Sequence, residues 1–213
     1  IAEAVKLETA ALALRTKVLG AEHPATLNTA SNLAESYRSA GRYAEAAALQ
    51  TRNLEISRRV LGPEHYQTLT TMLNLATTDN ELGKSAEAAA LLVPAADICQ
   101  RVLGAEHPLT LTALNNLANI YTHQGKRSEA IAIQRRLLEI LPKVFGPDHP
   151  NVFASTINLG ASLADLGRFD EAIALLTGAR EKATRVLGPD HRFTLAAINN
   201  LAKAYETRGT SAD

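Results

Sequence analysis

The sequence predicts an all-α chain, a solenoid of stacked two-helix repeats, and three observations carry that expectation. The heptapeptides VLGAEHP, VLGPEHY, VLGAEHP, VFGPDHP and VLGPDHR begin at Val18, Val60, Val102, Val144 and Val186, each 42 residues after the last with no insertion or deletion. A second row places Gly41, Gly83, Gly125, Gly167 and Gly209 at the same period, and with Gly20, Gly62, Gly104, Gly146 and Gly188 these make ten of the twelve glycines. Glycine is therefore nearly confined to two turns per repeat, as helix ends that need a left-handed residue require. Between the turns the apolar spacing is helical: Leu111, Leu114, Leu117, Ala118 and Tyr121 share one face. No β-alternation competes.

The elements follow in order. Residues 1–23 form a partial repeat with helix B only; 24–65, 66–107, 108–149 and 150–191 are full repeats; 192–213 hold a helix A alone. Pro24, Pro108 and Pro150 stand at the start of helix A, where a missing N–H is tolerated. Helix A should run about 16 residues, or about 24 Å, with helix B slightly longer. Ala130, Ile131, Leu137, Leu138, Leu141 and Val144 mark one stripe of helix B in the third unit. Pro94 and Pro142 fall inside helix B, where each should kink the helix without ending it. In the fifth unit Leu195, Ile198, Leu201 and Ala202 are expected to turn inward, with Ile198 and Tyr205 partly uncovered. The chain opens and closes on half-repeats without polar caps, as a piece of a longer array would.

The residues within each unit select among helical repeats. Asn32-Leu33-Ala34, Tyr37, Gly41, Tyr43, Ala46 and Leu54 recur as Asn116-Leu117-Ala118, Tyr121, Gly125, Ala130 and Leu138, and as Asn158-Leu159-Gly160, Gly167, Phe169 and Ala172. This pattern, with its VLGxEH linker, resembles the tetratricopeptide repeat of the kinesin light chain type over essentially the whole chain. The resemblance implies a single domain over 1–213, a right-handed superhelix whose helices A line a concave groove. Asp79 and Leu163 depart from it where helix A carries an aromatic, and Ser85 and Arg127 where helix B opens with one. These departures should loosen local packing and leave the register intact.

Composition narrows the function. With 22 basic and 22 acidic residues the formal net charge is zero, which offers nucleic acid or an anionic membrane no electrostatic footprint. No apolar run reaches 18 residues, and residues 1–17 lack the form of a signal peptide. The single cysteine, Cys99, fits a reducing, cytoplasmic setting and a small buried hydrophobe. Arginine outnumbers lysine 15 to 7 and alanine is abundant, as in a GC-rich bacterial source.

The residue rows with chemical potential are two. The first pairs an acid with histidine: Glu22-His23, Glu64-His65, Glu106-His107, Asp148-His149 and Asp190-His191 hold five of the six histidines. Ligands must converge within roughly 2.0–2.2 Å of one zinc ion. Equivalent atoms of stacked repeats lie about 8–10 Å apart. The row should therefore satisfy helix termini, with no metal, no cofactor and no catalytic residue. Neither a P-loop, GxGxxG, HExxH nor CxxC motif is present. Arg58, Arg59, Arg101 and Arg185 near the ends of helix B suit the helix dipole and a solvated face.

The second row is an asparagine ladder on helix A: Asn32, Asn74, Asn116, Asn158 and Asn200. A carboxamide offers donor and acceptor together, which matches a peptide unit without reading its side chain. In tetratricopeptide arrays an Asn at this place often bonds a bound peptide, and the resemblance implies that role here. An Asn that bonds the adjacent helix and fixes repeat geometry is the other reading. Neighbours on the same face complete the peptide-binding candidates: Asn28, Thr70, Thr112, Asn119, His123 and Lys203. Kinesin light chain arrays are associated with acidic cargo motifs and cationic grooves. Here Glu35, Glu81 and Asp165 face Lys203, a formal −2 that favours neutral or basic peptides. The expected function is a non-catalytic interaction module for an extended peptide or partner helix. The alternative is a sensor or self-association region of a larger bacterial signalling protein whose catalytic domain lies elsewhere. Weak head-to-tail self-association through the two ends is a further expectation.

Overall fold

The computed structural model describes residues 1–210 and contains ten helices there, with no strand among the described residues. They are α1 (Ala2–Leu19), α2 (Pro24–Ser39), α3 (Tyr43–Val60), α4 (Tyr66–Glu81), α5 (Ser85–Leu103), α6 (Pro108–His123), α7 (Arg127–Phe145), α8 (Pro150–Asp165), α9 (Phe169–Leu187) and α10 (Arg192–Thr210). The helices of the A type, α2, α4, α6 and α8, are 16 residues each, and the B-type helices run 18 or 19. Both α5 and α7 continue through Pro94 and Pro142.

Each helix A begins on the histidine of the VLGxEH linker. His23 is the N-cap of α2 in extended backbone (φ −68°, ψ 135°), and its Nδ1 accepts from the Ala25 N–H at 3.1 Å. His65, His107, His149 and His191 accept in the same way from Gln67, Leu109, Asn151 and Phe193 at 3.1–3.2 Å. A free helix end carries four unpaired N–H groups, and this ring nitrogen satisfies one of them. Three of the acids beside the histidines reach to the next helix B: Glu22 pairs with Arg59 at 2.6 Å, Glu64 with Arg101 at 2.6 Å and Asp148 with Lys182 at 3.1 Å.

Each turn from A to B is a Schellman closure. At the end of α2 the Gly41 N–H donates to Arg38 and the Arg42 N–H to Tyr37. Gly41 sits at φ 73°, which a side chain would strain. The same two bonds recur at Gly83, Gly125 and Gly167. This geometry brings the third-last residue of helix A against the residue before helix B. The Arg42 guanidinium lies 4.4 Å from the Tyr37 ring centre and the Lys126 ammonium 5.3 Å from that of Tyr121. At the B-to-A linkers, Gly104 adopts φ 92° and ψ 162°, a region open essentially to glycine alone. Gly209 departs from its row: it lies within α10 and lacks the positive φ of the other nine turn glycines.

The chain divides into two compact units, 1–116 and 117–213. In the first, α1 packs on α2, α2 on α3, α3 on α4 and α4 on α5. Its core includes Leu27, Leu54, Leu69, Met72, Leu92 and Cys99, all buried. In the second, α7 packs on α8, and α8, α9 and α10 pack on one another. Ile157, Leu176, Ala179, Ala197 and Leu201 form one cluster there, and Ile131, Leu159, Leu163 and Ala172 another. Leu163 therefore replaces the missing aromatic with a fully packed aliphatic side chain, contrary to the loosening expected of it. In α10 the inward face is Thr194, Ala197, Leu201 and Ala204. Leu195 is 47% exposed, Ile198 41%, and Ala202 is also exposed. Leu201 is buried and Ile198 and Tyr205 are uncovered as expected, whereas Leu195 and Ala202 turn outward because Ala197 packs beside Leu201 against Ile157, Leu176 and Ala179 in their stead.

Candidate functional site

Helix geometry decides what the ladder can offer. In the first unit Asn28 and Asn32 are exposed on α2, while Asn74 is half-buried on α4. Asn116 on α6 is also half-buried, and its Nδ2 donates to Thr77 Oγ1 of α4 at 3.2 Å. Thr70 and Thr112 spend their hydroxyl protons on the carbonyls of Tyr66 and Pro108 one turn earlier, both at 2.9 Å, and keep acceptor capacity only. Thr77, which the sequence places on the same face one turn from Asn74, is the residue of the adjoining helix A that meets Asn116.

In the second unit Asn158 on α8 directs its Nδ2 at the Asn119 Oδ1, 3.5 Å away, at the limit for a hydrogen bond. Asn119, Asn158 and Asn200 are half-buried, and His123 is exposed at the last turn of α6. Lys203 pairs with Asp165 at 3.1 Å across α10 and α8. The structure thus joins Asn116 to Thr77, Asn158 to Asn119 and Lys203 to Asp165. Two ladder amides turn a donor toward the neighbouring helix A and leave their Oδ1 to other partners.

The charged residues beside the ladder are paired within each unit. Arg38, one turn from Glu35, donates to both Glu35 carboxylate oxygens at 2.8 and 2.9 Å. Its guanidinium is held further above its usual range by the Glu35 hydrogen bonds, with Glu81 adding to the effect. In the first unit Glu35 is thereby neutralised and Glu81 remains, and in the second Asp165 is matched by Lys203. Arg38, three positions from Glu35 and off the spacing of one face, brings the formal sum from −2 to −1.

Two buried groups bear on reactivity. Cys99 is fully buried and burial pushes its thiol up, away from the reactive thiolate. Asp79 is buried in α4; burial raises its carboxyl, Lys84 draws it down and Glu87 raises it. Among the described residues no group of three or more His, Cys, Asp or Glu could hold a metal ion, and no helix is long and apolar enough to cross a membrane.

Comparison with known proteins gives the geometry its family. The tetratricopeptide repeat profile matches residues 1–52, 26–95, 81–143 and 151–212. A crystal structure of nearly identical TPR-like repeats, described as kinesin light chain, from Podosopora anserina superposes with a TM-score of 0.79 at 29% identity, covering 88% of this chain and 89% of that one. BtubC (BKLC) from P. vanneervenii superposes with a TM-score of 0.76 at 19% identity, over 97% of this chain and 84% of that one. A Rap protein complexed with Competence and Sporulation Factor gives 0.67 at 12% identity, over 86% of this chain and 52% of that one. No match is found among curated proteins. The helical hairpins, their glycine closures and their α-solenoid relatives agree: the chain belongs to the tetratricopeptide repeat family.

Proposed function

We propose that the chain is a non-catalytic interaction module that binds an extended peptide, or one face of a partner helix, along its helices A. Tetratricopeptide repeats are in general protein-interaction scaffolds, and a Rap relative of the same fold is complexed with Competence and Sporulation Factor. The observation that carries the reading is the row of half-buried asparagines, Asn74, Asn116, Asn158 and Asn200, recurring at one position of successive helices A. A half-buried carboxamide that gives one proton to its neighbour retains an oxygen for a peptide N–H. The residual formal charge of −1 favours neutral or basic peptides over acidic ones, and the lone cysteine supports a cytoplasmic setting. Peptides selected from a random display library against the intact chain should lose at least tenfold in affinity in the combined Asn74→Ala, Asn116→Ala, Asn158→Ala variant, with helical circular dichroism unchanged. Unchanged affinity with intact helicity overturns the proposal.

A second copy of the chain is a further partner of this module. Leu7 and Leu14 on α1 are 62% exposed, and Ile198 and Tyr205 on α10 are 41% and 53% exposed. Apolar surface of this kind commonly becomes a contact. Ile198→Glu is the informative variant, since Leu201 is buried and its replacement would disturb the core. Sedimentation that stays strictly monomeric at high concentration counts against self-association.

A further inference from the structure

One helix A departs from the others at its first residue. Pro24, Pro108 and Pro150 open α2, α6 and α8, and Arg192 opens α10, but α4 opens on Tyr66. Tyr66, Thr70, Asn74 and Thr77 follow at i, i+4, i+8 and i+11, so the tyrosine heads the stripe that carries the ladder. It is 55% exposed. Its ring meets that of His107, the N-terminal neighbour of α6, with 6.2 Å between centroids and 75° between planes. An edge contact of this kind holds the ring toward α6 and covers at most one of its faces.

The hydroxyls beside the ring can only accept. Thr70 and Thr112 occupy one position on α4 and α6, where α2, α8 and α10 carry Asn28, Ala154 and Ala196. Both protons are spent on the carbonyls of Tyr66 and Pro108 at 2.9 Å, and each oxygen keeps a lone pair. Thr112 is exposed and Thr70 half-buried. The bond from Asn116 to Thr77 shows that α4 and α6 lie side by side along this face. Arg101, in the last turn of α5, is engaged by Glu64 at 2.6 Å.

We propose that Tyr66, Thr70 and Thr112 form a subsite for an arginine side chain of the bound peptide, its guanidinium lying on the open face of Tyr66 and donating to the two threonine oxygens. The inference rests on the peptide-binding reading above and names the side chain that the face selects. A guanidinium is planar, weakly hydrated and rich in N–H donors, so one group can stack on the ring and serve hydroxyls of both helices. The ammonium of lysine is compact and strongly hydrated, and suits the ring less well. A carboxylate would meet two hydroxyls whose protons are already given. An apolar side chain would strip water from their oxygens and offer no donor in return. The remaining charge of this face in the first unit, Glu35 and Glu81 against Arg38, has the sign that draws a cation.

Titration of the intact isotope-labelled chain with acetyl-Gly-Arg-Gly-amide, followed at the Tyr66 ring and the Thr70 and Thr112 methyl groups, tests the subsite. Saturable shifts are expected at all three. The citrulline counterpart, which keeps the shape and loses the charge, should bind about two- to fivefold more weakly, and the norleucine counterpart should not saturate. Tyr66→Phe should keep the preference for arginine and Tyr66→Leu should lose it. The paired Thr70→Val, Thr112→Val variant should weaken the arginine and citrulline peptides alike. Equal affinity of the arginine and norleucine peptides for the wild-type chain overturns the proposal. So do arginine shifts confined to Glu35 and Glu81, or a preference undiminished in Tyr66→Leu. The combined Asn74→Ala, Asn116→Ala, Asn158→Ala variant keeps the two readings apart, since it should lose library peptides and retain the Tyr66 shifts. Library peptides that bind the wild-type chain while the Tyr66 ring stays unmoved by the arginine peptide remove the subsite alone.

Discussion

The first and second full repeats have the same length and helix boundaries that agree to within one residue, but they are built differently inside. In the first, Tyr37 faces Arg42 through a cation–π contact at the A-to-B turn; in the second, Asp79 occupies the same place before Lys84. In the first, Ala30 and Asn53 border a cavity; in the second, Met72 and Ala95 occupy the same positions, both buried. What the two share is backbone chemistry: a histidine whose Nδ1 caps helix A, and a left-handed glycine that closes it. The comparison teaches that caps and closures hold the 42-residue register, while the side chains between them are free to acquire local properties. Those properties, a buried carboxylate in one repeat and a polar void in the other, are where the repeats can be told apart.

The largest expected effect comes from making the second repeat resemble the first at its core. Met72→Ala removes a side chain that is fully buried and should cost ~2–5 kcal/mol in urea unfolding, with the helix boundaries unchanged. Ala30→Met, its reciprocal, enters existing space and should leave stability equal or improved. Equal losses from both substitutions would show that the two repeats are packed alike after all.

How much of this was legible beforehand follows the same division. The helices, their lengths and the capping role of the acid-histidine row could be read because each is fixed by local chemistry repeated five times. Leu201 of α10 was legible, but Leu195 and Ala202 were misplaced because the rest of the inward face is Thr194, Ala197 and Ala204, and small residues carry little signal in a pattern of large apolar ones. Gly209 was misread because a turn glycine and a helical glycine are the same letter until the following chain is placed. Arg38 escaped because its side chain reaches back to Glu35 from a position off the chosen stripe. The Asn53 cavity was illegible for a deeper reason: it arises from what Ala30 lacks, and its walls come from three helices separated by up to 44 positions in sequence, from Leu12 to Ile56.

A smaller effect is expected at the A-to-B turn. Asp79 is buried, and a carboxyl raised in the folded state is penalised when it ionises. The sign follows directly. The folded chain holds this proton more tightly than the unfolded chain, so the penalty is absent below the unfolded value near 3.9 and is fully present above the raised folded value. Asp79→Tyr should therefore stabilise the chain at pH 7 by about 1–2 kcal/mol, by removing the buried carboxylate and restoring the ring-on-cation contact with Lys84. Asp79→Asn separates the two contributions. Its advantage over wild type should shrink as the pH is lowered through the folded value and vanish near pH 3. An advantage that stays constant with pH would assign the effect to packing and not to charge.

The smallest effect tests the device that both repeats share. His65 accepts the Gln67 N–H at 3.2 Å through Nδ1, and its φ of −67° and ψ of 139° are those of an ordinary N-cap. His65→Ala removes the acceptor and leaves that N–H to water, for a loss of about 1 kcal/mol. His65→Asn returns a short side-chain oxygen to the same place and should recover most of the loss, whereas His65→Gln, longer by one methylene, should not. The ranking matters more than the size. If capping is what the histidine supplies, Asn rescues and the neighbouring Glu64–Arg101 pair is indifferent to the exchange. A flat His65 series would show that the cap contributes nothing measurable; the edge-to-face contact of Tyr66 is with His107 of the next linker and is not touched by these exchanges. Thermal unfolding of the His65 variants beside the matching His23 variants decides it, because equal losses in the two repeats are what a common backbone device requires.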